Sequence, residues 1–355
     1  MKTENKKIYL VTGGCGFIGS CLVRKLLESK KNFVINYDNI SYASNKESVG
    51  NVNKSNYLLI EKDIQDAKNV DKILSSYKPN YVIHLAAESH VDRSIDSPEN
   101  FVFSNVVGTY NLLMSSYRLW SNLNANKNKF KFIYASTDEV YGSLQLDKKQ
   151  FSENNLMKPN SPYAATKASG DLLARSWFKT YGFPVITTNS SNNYGLWQFP
   201  EKLIPLVIKK CLKEEAIPIY GKGNHIRDWI NVEDNVDGIL AVMKKGRIGE
   251  RYNIGANNEK SNLEIVTLIC SLLDILKPKK SGTYSDLISF VTDRPGHDLR
   301  YSLNTSKINQ ELNWTAKIDF KKGLKNTIKW YLANEEWLFS VTDSRYDGKR
   351  LGQIK

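Results

Sequence analysis

Tyr163 and Lys167 stand four apart in "YAATK". On a helix, residues at that spacing share a face. An ammonium there lowers the phenol's pKa, as would the positive ring of an oxidised nicotinamide, so the tyrosine can take a proton from an alcohol or sugar hydroxyl. A second group lies in "FIYASTDEVYGS", Phe132 to Ser143. An apolar run ends in Ser136 and Thr137, and two carboxylates follow, Asp138 and Glu139. Two neighbouring carboxylates in a closed site tend not to ionise together, so one stays a neutral acid while the other serves as a base. An acid and a base side by side are what elimination of water needs. The hydroxyls of Ser136 and Thr137 suit a hydrogen bond to the reacting oxygen beside Tyr163.

A third feature is "YLVTGGCGFIGS", with glycines at 13, 14, 16 and 19. The pattern follows a strand and opens a helix, the context a dinucleotide fingerprint requires. Glycines let the backbone approach a pyrophosphate, and the helix N-terminus favours the anion. Asp38 ends the next strand, nineteen positions past Gly19. Its carboxylate suits the adenosine ribose hydroxyls and repels a 2′-phosphate, which favours NAD over NADP. Asp63 and Ile64 close the third strand and are expected near the adenine.

The elements that must position these groups alternate regularly. Strands are predicted at "KIYLVTGG", "FVINYD", "YLLIEKDI", "YVIHLAA", "KFIYAST" and "PVITTNSSNNYG". Helices are predicted at "FIGSCLVRKLLESK", "AKNVDKILSSY", residues 100–120 and "SPYAATKASGDLLARSWFKTY". This alternation predicts an α/β fold, a doubly wound parallel sheet. The helix over 100–120 is apolar on more than one face, so one side is expected on the sheet and the other on a second subunit. After Asn189 the texture turns irregular, and a smaller lobe is expected. The division is then 1–189 for the cofactor, with 226–256 returning to it, and 190–355 mainly for the substrate. The last residues, "DGKRLGQIK", read as loose.

With 355 residues the chain can bury a large core. The net charge of +13 comes from lysines spread along the whole length, without a dense basic block or an RNA-binding or zinc-finger pattern. That argues against nucleic acid and suits a phosphate-bearing small molecule. The four cysteines show neither CxxC nor zinc spacing and read as reduced thiols, with no metal site. No apolar run is long enough to span a membrane, and the N-terminus lacks a signal-peptide core, so a cytoplasmic protein is expected.

The glycine loop, "HLAA" and YxxxK resemble the extended short-chain dehydrogenase/reductase superfamily of nucleotide-sugar enzymes, whose fold is Rossmann-like with a smaller C-terminal substrate-binding lobe. Within it, "HLAAESHVDRS", "STDEVYG", "SPYAATKA", "TNSSNNYG", "PIYGKGNHIRDWINVEDN", "DRPGHDLRY" and "WYLANEEWL" are similar to the dTDP-glucose 4,6-dehydratase family over nearly the whole chain. The resemblance implies three steps on tightly held NAD. C4 is oxidised, water leaves across C5 and C6, and C6 is reduced, giving a 4-keto-6-deoxy-glucose nucleotide. It implies Thr137, Asp138, Glu139, Tyr163 and Lys167 as catalytic. Gly13, Gly16, Phe17, Ile18, Gly19, Asp38, Asp63, Ile64 and Ala86 would hold the cofactor, together with Tyr163 and Lys167. Ser89, His90, Thr137, Asn193, Lys202, Leu203, Pro218, Tyr220, Arg227, Asn262, Arg294 and His297 would hold the substrate. A homodimer and a 6-deoxyhexose product such as rhamnose are implied in the same way. Ser190 stands where the family usually has cysteine, and His225 and Asn231 are local variations near the nucleotide end. The donor, dTDP-glucose or UDP-glucose, is left open. The alternatives are a C4 epimerase, against which the acid pair argues, and a non-catalytic NAD-binding scaffold.

Overall fold

The predicted β-branched runs become parallel strands because both faces of the sheet are covered, so each strand must be apolar on both sides. In the computed structural model, which describes residues 6–343 and Gly352, these are β1 (Lys7–Thr12), β2 (Asn32–Asp38), β3 (Tyr57–Glu61), β4 (Tyr81–His84), β5 (Lys131–Thr137) and β6 (Val185–Ser190). The tail expected to be loose, 347–355, lies outside the described residues but for Gly352. The strand order is β10-β6-β5-β4-β1-β2-β3, with β10 (Arg251–Ile254) at one edge. This is the doubly wound order extended by one strand, and its crevice lies at the C-terminal ends where the order reverses between β1 and β4. Register fixes the site. Thr12 sits opposite His84, and Ser136 and Thr137 sit opposite Asn189 and Ser190.

Helices α1 (Phe17–Leu27), α2 (Ala67–Tyr77), α3 (Val91–Asp96), α4 (Pro98–Phe101), α5 (Thr109–Ser121) and α6 (Pro162–Tyr181) connect these strands. The long helix expected over 100–120 is present, but its middle is wider. Val102–Gly108 is π-helical between α4 and α5. Gly108 packs on Ile64, where a Cβ would come within 2.6 Å of the isoleucine Cδ1. One side of this helix is buried through Phe101, Asn105, Leu112 and Leu113. The other leaves Val102, Phe103, Val107 and Tyr110 exposed, joined by Leu172 and Tyr181 of α6.

The remaining chain forms β7 (Asn192–Tyr194), α7 (Leu203–Leu212), β8 (Ile217–Tyr220), β9 (Ile226–Asn231), α8 (Val232–Lys245), β11 (Glu259–Ser261), α9 (Asn262–Leu276), β12 (Ile288–Val291), α10 (Ser306–Leu312), α11 (Phe320–Ala333) and α12 (Glu335–Asp343). Within 226–256, α8 and β10 extend the central sheet's layers, whereas β9 pairs in a three-stranded sheet with β7 and β11. One core joins the sheet to α1 and α8, and a second lies on its other face. A third holds α7, α9 and α11 around Ile208, Ile269 and Ile328. Among the described residues, no helix is long and apolar enough to cross a membrane.

Candidate active site

A cavity of about 300 Å³ opens at the C-terminal ends of the central strands. Its walls bring together Gly13, Gly16, Phe17, Ile18, Gly19, Asp38, Asp63, Ile64 and Ala86 on one side of the sequence-predicted set. They also carry Ser89, Thr137, Asp138, Glu139, Tyr163, Lys167, Asn193 and Lys202.

The glycine loop fits a dinucleotide. Gly13 has φ +71°, and a Cβ there would lie 2.7 Å from the Ala86 nitrogen. A Cβ on Gly19 would lie 2.0 Å from the Gly13 carbonyl oxygen. Helix α1 has Gly16 at its N-cap and no side-chain cap, so its first amide groups are left for an anion. Asp38 is buried. Its Oδ1 accepts from Ile40 N at 2.8 Å and Ser44 Oγ at 2.9 Å, and its Oδ2 accepts from Cys15 N at 2.9 Å. Oδ2 thus keeps a lone pair for a ribose hydroxyl.

The acid pair sits on a short 3₁₀ turn, Asp138–Tyr141, directly after β5. Thr137 caps that turn, accepting from Glu139 N at 3.3 Å, and its hydroxyl donates to Asp138 Oδ1 at 3.1 Å. Asp138 Oδ2 and Glu139 Oε2 are buried and make no hydrogen bond among the described residues. Buried polar atoms are normally satisfied, so these oxygens point to a polar ligand. Burial, and then the neighbouring Glu139, push the Asp138 carboxyl well above the usual carboxylate range, with the Thr137 hydroxyl opposing. Burial also raises Glu139, but Arg294, Arg227 and Lys202 pull it back. Both carboxyls are thus raised, Asp138 strongly, and three cations oppose the rise at Glu139.

Helix α6 begins at Ser161, whose side chain accepts from Ala164 N, with Pro162 in the first turn. It delivers Tyr163 and Lys167 to the cavity, both nine-tenths or more buried. Lys167 Nζ donates to the Ala135 carbonyl at 2.7 Å and lies 4.5 Å from the centre of the Tyr134 ring. Burial brings its pKa down to about 8, against the pull of Asp171. In the protein alone, with no cofactor charge counted, the net direction at Tyr163 is upward. Burial dominates Tyr163 and raises it, Glu139 and Asp138 add to the rise, and the Thr137 hydrogen bond opposes it. A positive charge beside the phenol, from Lys167 or from an oxidised nicotinamide, acts against that rise.

Eight predicted substrate residues are not among this cavity's walls: His90, Leu203, Pro218, Tyr220, Arg227, Asn262, Arg294 and His297. His90 caps α3, accepting from Arg93 N at 3.4 Å. Leu203 and Asn262 open α7 and α9, and Pro218 and Tyr220 lie on β8. Arg294 donates to Asp92 Oδ1 at 2.6 Å and Tyr220 to Asp92 Oδ2 at 2.9 Å, while Arg227 lies over the Tyr301 ring at 4.3 Å. The two arginines still act on the acid pair through their charge. His225 and His297 share the Asp293 carboxylate at 3.1 and 2.7 Å. Their rings stack 3.5 Å apart at 13°. His225, Asp293 and His297 each offer one ligand atom within 4.8 Å of the others, a grouping that could hold a metal ion. Burial and then Arg294 and Arg227 bring His297 down to about 3, so it is neutral.

Three residues escaped the sequence reading. Asp171, bonded to Arg251 at 2.6 Å, steadies the Lys167 charge. Its signal was present, since Tyr163, Lys167 and Asp171 repeat at four-residue spacing. Tyr42 and Glu201, joined at 2.9 Å across 159 positions, left no local signal.

Comparison with known proteins agrees with this geometry. A family profile described as GDP-mannose 4,6 dehydratase matches residues 10–327. A dTDP-glucose 4,6-dehydratase of Haemophilus influenzae is 51% identical over 330 residues, covering 92% of this chain and 98% of the relative. The chain belongs to the dTDP-glucose 4,6-dehydratase family. It is accordingly an enzyme of the dehydratase class. The Escherichia coli K12 dTDP-glucose 4,6-dehydratase 1 is 47% identical over 95% of this chain and 96% of its own length. The crystal structure of DesIV, a dTDP-glucose 4,6-dehydratase from Streptomyces venezuelae solved with NAD bound, superposes with a TM-score of 0.86 at 38% identity, covering 94% of this chain and 99% of DesIV. A UDP-glucose 4-epimerase from Thermotoga maritima also shares the fold, so the fold alone does not separate dehydratase from epimerase.

Proposed function

We propose that this dehydratase converts dTDP-glucose to its 4-keto-6-deoxy nucleotide product on NAD held by the glycine loop, Asp38, Asp63, Ile64 and Ala86. The observation that carries the reading is the acid pair: a neutral, buried Asp138 next to a Glu139 facing three cations, in one cavity with Tyr163. When bound, NAD supplies a hydride acceptor for C4, a hydride donor for C6 and, oxidised, a positive charge that acts against the rise at Tyr163.

The chain's own residues move the protons. Tyr163 takes the C4 hydroxyl proton, with Thr137 bonded to the same oxygen. The C4 ketone acidifies C5, and Glu139 removes that proton. Asp138 protonates the departing C6 hydroxyl, which leaves as water. Glu139 then returns its proton to C5. Lys202, Asn193 and Ser89 hold the sugar and diphosphate, and Arg227 and Arg294 supply positive charge from the neighbouring wall. The arginine forks suit diphosphate oxygens.

The same reading assigns residues 1–189 with 226–256 to the cofactor and the remainder mainly to the substrate. It also takes the chain to be a cytoplasmic homodimer, paired through Val102, Phe103, Val107, Tyr110, Leu172 and Tyr181, which form an exposed apolar patch. UDP-glucose is the second donor to try, since a pocket distinguishes one methyl by only ~1–3 kcal/mol. The product is a precursor of a 6-deoxyhexose such as rhamnose. The test is dTDP-glucose carrying deuterium at C4. Deuterium recovered at C6 of a product that has lost water supports the reading. Deuterium recovered at C4 of an isomer of unchanged mass overturns it.

A further inference from the structure

The loop after β2 and the segment before α7 both line the cavity, through Ser41 and Ser44 on one and Phe199 and Lys202 on the other. They meet at a single cluster. The Tyr42 hydroxyl donates to Glu201 Oε1 at 2.9 Å. Arg93 Nε of α3 donates to Glu201 Oε2 at 2.9 Å, and its guanidinium lies 3.8 Å from the centre of the Tyr42 ring. Phe199 meets Tyr42 edge to face at 5.6 Å. The Glu201 side chain is only 2% exposed, so both of its bonds form away from water. Beside them, Lys202 Nζ donates to the Ser89 carbonyl at 2.7 Å.

We infer that Tyr42, Glu201 and Arg93 form a clasp that retains NAD between the two half-reactions. The inference rests on the proposed function. A dehydratase that takes a hydride from C4 must give it back at C6, and cofactor lost in between leaves the sugar oxidised. The clasp ties the loop that carries Asp38's ligands, Ile40 and Ser44, to the substrate side of the cavity. Freeing the loop breaks the Tyr42 hydrogen bond to a buried carboxylate and the contact of its ring with Arg93, which is stronger than parting two neutral surfaces. Tyr42 and Glu201 are positioning residues, since neither is required to touch a reacting atom.

The experiment measures exchange of bound NAD for radiolabelled NAD in the holoenzyme, by rapid gel filtration, in the wild type, Tyr42→Phe, Glu201→Gln and the double variant. Tyr42→Phe keeps the ring over Arg93 and against Phe199, so the fold is retained. The expected result is exchange faster by about tenfold or more in Tyr42→Phe, the kinetic equivalent of one lost bond to a charged acceptor. Its turnover should fade without added NAD and recover with it. The double variant should exchange no faster than Glu201→Gln alone, because the two residues share one bond. Wild-type exchange in Tyr42→Phe, or fully additive effects, would overturn the clasp. A wild-type protein that neither contains nor takes up NAD would overturn the cofactor reading, and the clasp with it.

Discussion

Replacing Asp138 by Asn separates its chemical role from its structural one. The carboxyl is 2% exposed and held neutral by burial and by Glu139, so an amide of the same shape removes no charge. The Thr137 hydroxyl, 3.1 Å from Oδ1, can still donate to the amide oxygen. Folding stability at low pH should therefore change by less than ~1 kcal/mol. Its pH dependence should change in a defined direction. With a folded pKa above its ordinary value of 3.8, the wild-type residue holds more protons folded than unfolded. Stability then falls as pH rises from that value toward the folded pKa. Asp138→Asn should lack this slope. Catalysis should suffer far more, because a positioned general acid contributes about 10²–10⁴ in rate, or ~3–5 kcal/mol of barrier. C4 oxidation and removal of the C5 proton do not need Asp138. In heavy water the variant should return substrate deuterated at C5 while forming almost no product, read by mass spectrometry of the recovered sugar nucleotide. Water elimination within about tenfold of the wild type would refute the assignment.

Three other perturbations follow from the same geometry. Lys167→Met should abolish turnover yet raise stability at pH 7 by up to ~3 kcal/mol, less the lost bond to Ala135. The lysine's folded pKa is lowered to about 8, so its burden is fully present below that pH and fades toward 10.5; urea melts at pH 7 and pH 10 would show the gain shrinking. Gly19→Ala drives a Cβ to 2.0 Å from the Gly13 carbonyl oxygen, so the purified protein should lack bound NAD, measured by absorbance after denaturation. Phe103→Glu combined with Leu172→Glu should convert a dimer to monomers in sedimentation, and an unchanged mass would show that the patch is not the interface.

The fold was legible where the physics is local. The six strands appear as unbroken β-branched runs because a parallel sheet buries both faces, and α6 follows from Ser161, Pro162 and a four-residue repeat. The acid pair, Tyr163 and Lys167 were legible because their spacing alone puts them on one strand end and one helix face. Effects that depend on assembled surroundings were not. The net direction of the Tyr163 shift in the protein alone is set by burial from several elements and by the two nearby acids, which no local spacing reveals. The helix over 100–120 was legible from its apolar run, but its π-helical stretch at Val102–Gly108 was not; within it Asn105 bonds Glu88 and Thr166. Arg227 lies on β9, whereas Arg294 and His297 follow β12, so their meeting beside Asp92 and Tyr301 depends on the assembled fold rather than on local sequence.

The most direct test of the central claim is the mass of the sugar nucleotide after incubation with the purified protein, with dTDP-glucose and UDP-glucose in separate reactions. The account predicts the loss of one water from dTDP-glucose, and the loss of that activity in Glu139→Gln with NAD binding retained. A C4 epimer of unchanged mass, or water loss undiminished in Glu139→Gln, would contradict it.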